Sequence, residues 1–157
     1  MATTKDEIRK SYPLPVYNYK VEIDGQTIGF SEVSGLNIQH ETTKYAESPG
    51  AGGPPGPVWM YMPAQENPPT ITLKKGIVPK VSVATLFAWI NSIQTNRVDK
   101  KDIIVRLCDE EGSAVVSWKV INAFPTKLEG PSFSASSNDV AVETMELMAD
   151  AVRIEAA

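Results

Sequence analysis

A single cysteine, Cys108, leaves no intrachain disulfide available to the 157-residue chain, so its fold must be held by packing. Histidine is as scarce. His40 is the only one, and it lies in the polar stretch HETTKY with no metal-ligand spacing around it. A Ser-His-Asp or Cys-His site would have to be built on that residue alone. Positive charge is not in excess either: 15 basic residues against 19 acidic ones give a net charge of −4. That balance supplies no attraction for nucleic acid or an anionic membrane. Long apolar runs are missing too. The longest, VATLFAWI at 83–90, is interrupted by Thr85 and falls far short of the ~20 residues of a membrane span. The N-terminal MATTKDEIRKSYPLP has charges throughout and no apolar core, so synthesis in the cytoplasm without a signal peptide is expected.

What is present is mostly strand alternation, in a chain long enough for one domain burying roughly 68–70% of its unfolded surface. In VYNYKVEI (16–23), Tyr17, Tyr19, Val21 and Ile23 share one face, and DGQ at 24–26 signals a hairpin. TIGFSEVSGLNI (27–38) returns with a phase break near Ser34-Gly35, which predicts a bulge or sharp bend. TITLKKGI (70–77) alternates Ile71, Leu73 and Lys75. In the next pair, IIVRL places Ile103, Val105 and Leu107 together; DEEGS turns, and AVVSWKVINA returns with Val116, Trp118 and Val120 on one face. FPTKLEGPSF reads as irregular. One helix is predicted, VATLFAWINSIQ, N-capped by Ser82, with Val83, Leu86, Phe87, Ile90 and Ile93 as its apolar stripe. Residues 1–12 are polar and aperiodic, a loose arm before a domain over 13–157. In VAVETMELMADAVRI (140–154) the composition favours helix, with Val142, Met145, Ala149 and Val152 as a stripe, while the alternation fits a strand about equally well.

The most unusual stretch is SPGAGGPPGP at 48–57, eight of whose ten residues are glycine or proline. Neither suits a helix interior or a central strand. With VWMYMPAQENPP after it, the stretch predicts one long Gly/Pro-rich loop over 47–69, a length compact domains keep for function or disorder. The glycines at 50, 52, 53 and 56 form no phosphate loop, because GxxxxGK[ST] is absent and the interleaved prolines remove amide donors. Asp109, Glu110 and Glu111 fall in a hairpin turn, where solvated charge is the ordinary finding. No catalytic residue, cofactor site or metal site is expected.

Seven segments taken in order carry a resemblance. YPLPVYNYKVEI, FSEVSGL, ITLKKGI, LFAWINSI, NRVDKKDIIVRL, SWKVINAFPTKLEGPSF and SNDVAVETMELMADAVRI together resemble the inner-tube protein of extracellular contractile injection systems of the antifeeding-prophage type. That family is similar in turn to myophage tail-tube proteins and to the Hcp protein of type VI secretion. The resemblance runs from Tyr12 to Ile154, and SEVSGL, TLKKGI and NAFPTKLEGPSFSASSNDVAVE are its most specific parts. It implies a mainly β fold, two packed antiparallel sheets forming a barrel-like sandwich with one flanking α-helix, and a long strand at 140–154. It also implies hexameric rings stacked into a hollow tube. Sheath, baseplate or hub, and cap proteins would be partners, protein cargo would fill the lumen, and no catalytic residue, cofactor, nucleic acid or membrane anchor would be involved.

In that family the connection preceding the TLKKGI strand reaches toward the adjacent ring. Here it is longer, and Met62-Pro63 is followed by Ala64. The expected inter-subunit loop comprises Pro49, Gly50, Gly53, Pro54, Pro55, Pro57, Trp59 and Tyr61, with Trp59, Met60, Tyr61 and Met62 as its adhesive part. Two alternatives remain at this point: a tube-initiating subunit at the baseplate, and a carbohydrate-binding β-sandwich using Trp59 and Tyr61 as stacking platforms.

Overall fold

A computed structural model describes residues 2–156, apart from the side chains of 81–84. The first hairpin, β1 (Tyr19–Ile23) and β2 (Gln26–Ile28), turns on Asp24 and Gly25, whose φ values of 51° and 81° suit a two-residue primed turn. The chain then crosses to β3 (Glu32–Ser34) and bends at Gly35, where φ is +87° and an added Cβ would lie 2.1 Å from the Thr70 carbonyl oxygen. The bend predicted at Ser34-Gly35 is therefore a glycine requirement on two counts, dihedral and contact. After it come β4 (His40–Glu47), β5 (Val58–Glu66), β6 (Thr70–Gly76), β7 (Lys101–Cys108), β8 (Ala114–Glu129), β9 (Val142–Met148) and β10 (Ala151–Ala156).

The strands form one antiparallel path, β2-β1-β7-β8-β9-β6-β3, with β10 also on β8 and β4-β5 as a separate pair. β8 organises the molecule. Its first half pairs with β7 and β10, and its second half pairs with β9. β9 and β10 are in effect one strand along β8, because Phe124 faces Met148, Ile121 faces Ala151, and the Asp150 amide still donates to the Ile121 carbonyl at 2.9 Å. The strand implied at 140–154 is thus present, and its helical stripe is not used. A ladder with β8 satisfies its backbone while Glu143, Met145 and Leu147 turn inward.

FPTKLE, irregular by sequence, belongs to β8. Its pattern is hidden by two interruptions. At Asn122, φ is 54° and the register against β7 shifts, so the inward set moves from Val120 to Ala123 and Pro125. A second shift lies between Pro125 and Lys127 against β9. Bulged positions of this kind accommodate proline in a strand. The Asn122 corner is held by its amide donating to the Asp102 carboxylate at 3.0 Å and its side chain to Asp150 at 2.8 Å.

Both halves of the path bury into one core, where Val21, Ile23, Ile103, Val105 and Val120 meet Ile71, Leu73, Met145 and Leu147. The flanking helix is shorter and less regular than its stripe suggests. A turn of α-helix, α2 (Pro79–Val81), leads into a π-helical stretch at Ser82–Phe87 and then α3 (Ala88–Asn91). The wider π turn shifts the phase, so Leu86 and Trp89 are buried, whereas Ile90 and Ile93 are only partly covered. The Trp89 indole N–H donates to the Asp99 carbonyl at 2.7 Å. The Ser82 cap and the Val83 contact lie outside the described residues.

The N-terminal arm also differs from the sequence reading, because Lys5–Ser11 is a helix, α1. Thr4 and Glu7 form a reciprocal capping box, and no residue of α1 is buried. Arg9 ties it to the β7–β8 turn by ion pairs to Glu110 at 2.9 Å and Glu111 at 3.0 Å. In that turn the Asp109 carboxylate accepts from the amides of Glu111 and Ser113. The three turn carboxylates are thus occupied in loop and helix contacts.

Candidate assembly surface

Residues 40–66 form a long hairpin projecting from the sandwich. The ladder runs from His40 opposite Glu66 to Glu47 opposite Val58, with an irregularity between His40 and Thr42. This is the principal correction to the sequence expectation: 58–66 is strand, and the irregular part is the ten-residue tip at 48–57. The tip holds Pro49, Gly50, Gly53, Pro54, Pro55 and Pro57, all exposed. It folds back on itself through a Gly53 amide donating to the Gly50 carbonyl at 3.1 Å, with φ of 81° at Gly52 and 104° at Gly56. Trp59 and Tyr61 lie outside the tip, in β5.

Directly opposed residues of an antiparallel pair share a face, so the register sorts the hairpin into two sides. On one side are Thr43 with Met62, Tyr45 with Met60, and Glu47 with Val58. On the other are Lys44 with Tyr61 and Ala46 with Trp59, the Lys44 ammonium sitting 5.7 Å from the Trp59 ring centre. Every residue of β4 and all but the last of β5 are exposed, Tyr61 at 74%. An isolated two-stranded ribbon is marginal in water, and large apolar groups on both sides leave no face suited to solvent. The short apolar run VWMYM, with its β-branched and aromatic residues, was the available signal for a strand; the prolines on either side masked it.

The hairpin is fastened at its base. The Asn67 amide donates to the Gln39 carbonyl at 2.8 Å, and Arg153 of β10 reaches the Glu66 carboxylate at 2.9 and 3.5 Å. The Arg153 hydrogen bond holds the Glu66 carboxyl below the usual range, aided by the charges of Arg153 and His40 and opposed by desolvation. His40 therefore sits at a charged hinge opposite Glu66. Arg153 and Glu66 carried no sequence signal, being 87 residues apart.

Elsewhere, the ends of the strand path are three-residue strands, β2 and β3. Their connection is pinned by side chains: the Tyr19 hydroxyl donates to the Phe30 carbonyl at 2.5 Å, and the Lys75 ammonium to the Gly29 carbonyl at 2.9 Å. Among the described residues no helix is long and apolar enough to cross a membrane.

The sandwich thus carries one protruding ribbon with large apolar side chains exposed on both of its sides. Residues 15–153 match the family described as T4-like virus tail tube protein gp19. Among solved structures, the chain is similar to one in the PVC extracellular contractile injection system sheath–tube complex in the extended state. They are 43% identical, with 99% of this chain and 100% of that one covered and a TM-score of 0.85. It is likewise similar to a chain of the anti-feeding prophage tube-terminating cap, at 44% identity, full coverage of both chains and a TM-score of 0.82. Hcp1 from Flavobacterium johnsoniae, at 18% identity and a TM-score of 0.51 over 88% of this chain and 95% of that one, shares the fold. Curated protein sequences yield no match. The chain belongs to the T4-like tail tube protein family. It is a structural, non-enzymatic subunit, the tail tube protein of a contractile injection system, and a component of a phage tail-like particle.

Proposed function

We propose that the chain forms hexameric rings that stack into a hollow tube, and that the 40–66 hairpin of each subunit lies against a subunit of the adjacent ring. The tube would sit inside a sheath, end at a cap and a baseplate hub, and carry protein cargo when sheath contraction drives it forward. The observation that carries this reading is the hairpin itself, a ribbon on which Tyr45, Val58, Trp59, Met60, Tyr61 and Met62 are all exposed. Its tip, Pro49, Gly50, Gly53, Pro54, Pro55 and Pro57, would become ordered only against a neighbour. Fixing ten backbone residues costs about 1–2 kcal/mol each, and such small side chains recover little of that within one subunit. Prolines lower the cost by restricting the free tip beforehand. Ring closure and ring stacking are both head-to-tail contacts, one closing and one propagating. Similarity at 43% to a sheath–tube chain supports the main-tube subunit over a tube-initiating one.

Electron microscopy of the purified protein tests the reading directly, with rings or hollow rods expected. Deleting 49–57 should leave single rings while abolishing long rods; rods of unchanged length distribution would refute the hairpin's role.

A further inference from the structure

Glu143 is the only polar or charged side chain buried in the core among the described residues, at 2% exposure, and neither carboxylate oxygen has a hydrogen-bond partner. Buried carboxylates are normally paired, and one left alone destabilises the structure that contains it. A cation stands nearby. The β6–β9 register places Lys75 directly across from Glu143, as the next same-face pair after Leu73 and Met145. Side chains so opposed have Cβ atoms about 4.5–5.5 Å apart, within easy reach of an ion pair. Lys75 instead sends its ammonium to the Gly29 carbonyl at 2.9 Å.

Gly29 belongs to the link between β2 and β3, the two terminal strands of the path. Sheet edges, with their unpaired backbone groups, are where another chain's strand adds. In the single subunit two carbonyls of this link are occupied by side chains, the exposed Gly29 carbonyl by Lys75 and the part-buried Phe30 carbonyl by Tyr19. The exposed Lys75 contact is one that a backbone N–H group of another chain can replace.

We propose that Lys75 and Glu143 are the two halves of an ion pair that closes on assembly. A second copy of the chain supplies a backbone N–H to the Gly29 carbonyl, and the released Lys75 ammonium turns inward to Glu143. The inference rests on the tube reading and adds to it an internal device: the subunit carries an unsatisfied buried charge that only the assembled form neutralises. Removing the pair therefore weakens assembly without weakening the fold of the single subunit.

The test uses the full chain with Glu143→Gln, Lys75→Gln, and both. Glutamine at 75 keeps a donor for Gly29 but loses the charge. Two quantities are measured: the thermal midpoint at a dilution where sedimentation shows single subunits, and the protein concentration at which rods appear. Glu143→Gln is expected to keep or raise the single-subunit midpoint. Each substitution should raise the rod-forming concentration on the order of tenfold, and the double variant should raise it no further. A midpoint lowered by several degrees in Glu143→Gln would show that the carboxylate already has a partner, and would overturn the proposal. An unchanged rod threshold, or penalties that multiply in the double variant, would overturn it while leaving the tube reading intact. A wild-type chain that forms no rods at any concentration would overturn both.

Discussion

Gly25 and Gly35 both have positive φ, +81° and +87°, yet they differ in what surrounds them. A Cβ at Gly25 meets nothing within 4 Å, whereas one at Gly35 meets the Thr70 backbone. Gly25→Ala should therefore cost only the left-handed dihedral, about 1–2 kcal/mol. Gly35→Ala should cost roughly 2–4 kcal/mol, because β3 must also move off β6. Urea unfolding of the two variants checks the order; equal costs would mean the Thr70 contact is easily relieved. At the hinge of the hairpin, a detached Glu66 takes up its proton at higher pH than one bound to Arg153. The tie is thus complete above the ordinary glutamate range and is lost as pH falls below it. An NMR titration of Glu66 should show a lower midpoint in the wild type than in Arg153→Ala, and coincident midpoints would exclude the tie.

α1 shows how an element can be well capped and still contribute little to the whole. Thr4→Ala removes a cap of about 1 kcal/mol. Because α1 buries no residue, hydrogen exchange at its amides should quicken while the global unfolding midpoint stays unchanged. A fall in that midpoint would reveal a core role for the helix. The same element shows what sequence can and cannot convey. T-x-x-E at Thr4–Glu7 was readable as a capping box, but a helix that buries no residue and is held by ion pairs has no apolar stripe to announce it. β1 and β6 were legible because period-two burial runs through their apolar positions, and β7 because it does so at Ile103 and Val105 before the register shifts near Cys108. β8 was legible only to Ala123, since the bulges near Asn122 and Pro125 shift its phase. For 142–156 the local preference pointed to helix, and the choice was made instead by distant pairing with β8 and β6, which no window of sequence contains.

Across the whole molecule, the apolar composition of Trp59–Met62 was visible in the sequence; its division between two faces required the β4–β5 register. That arrangement makes methionine oxidation a reporter of assembly. Met60 and Met62 are 41% and 43% exposed, while Met145 is 1% exposed. Mild peroxide should oxidise the first two in single subunits and spare Met145. In assembled rods Met60 and Met62 should become protected several-fold, as mass spectrometry of tryptic peptides would show; equal oxidation in both states would leave the hairpin uncovered. β8 with its β9–β10 partner has a mechanical consequence of its own. The hydrogen bonds of an antiparallel ladder lie across the strands, so a pull along β8 loads many of them together in shear, instead of opening them one at a time as peeling would. A subunit spanned by such a ladder resists a pull along β8 through many bonds at once, where a pull across the strands would meet them singly.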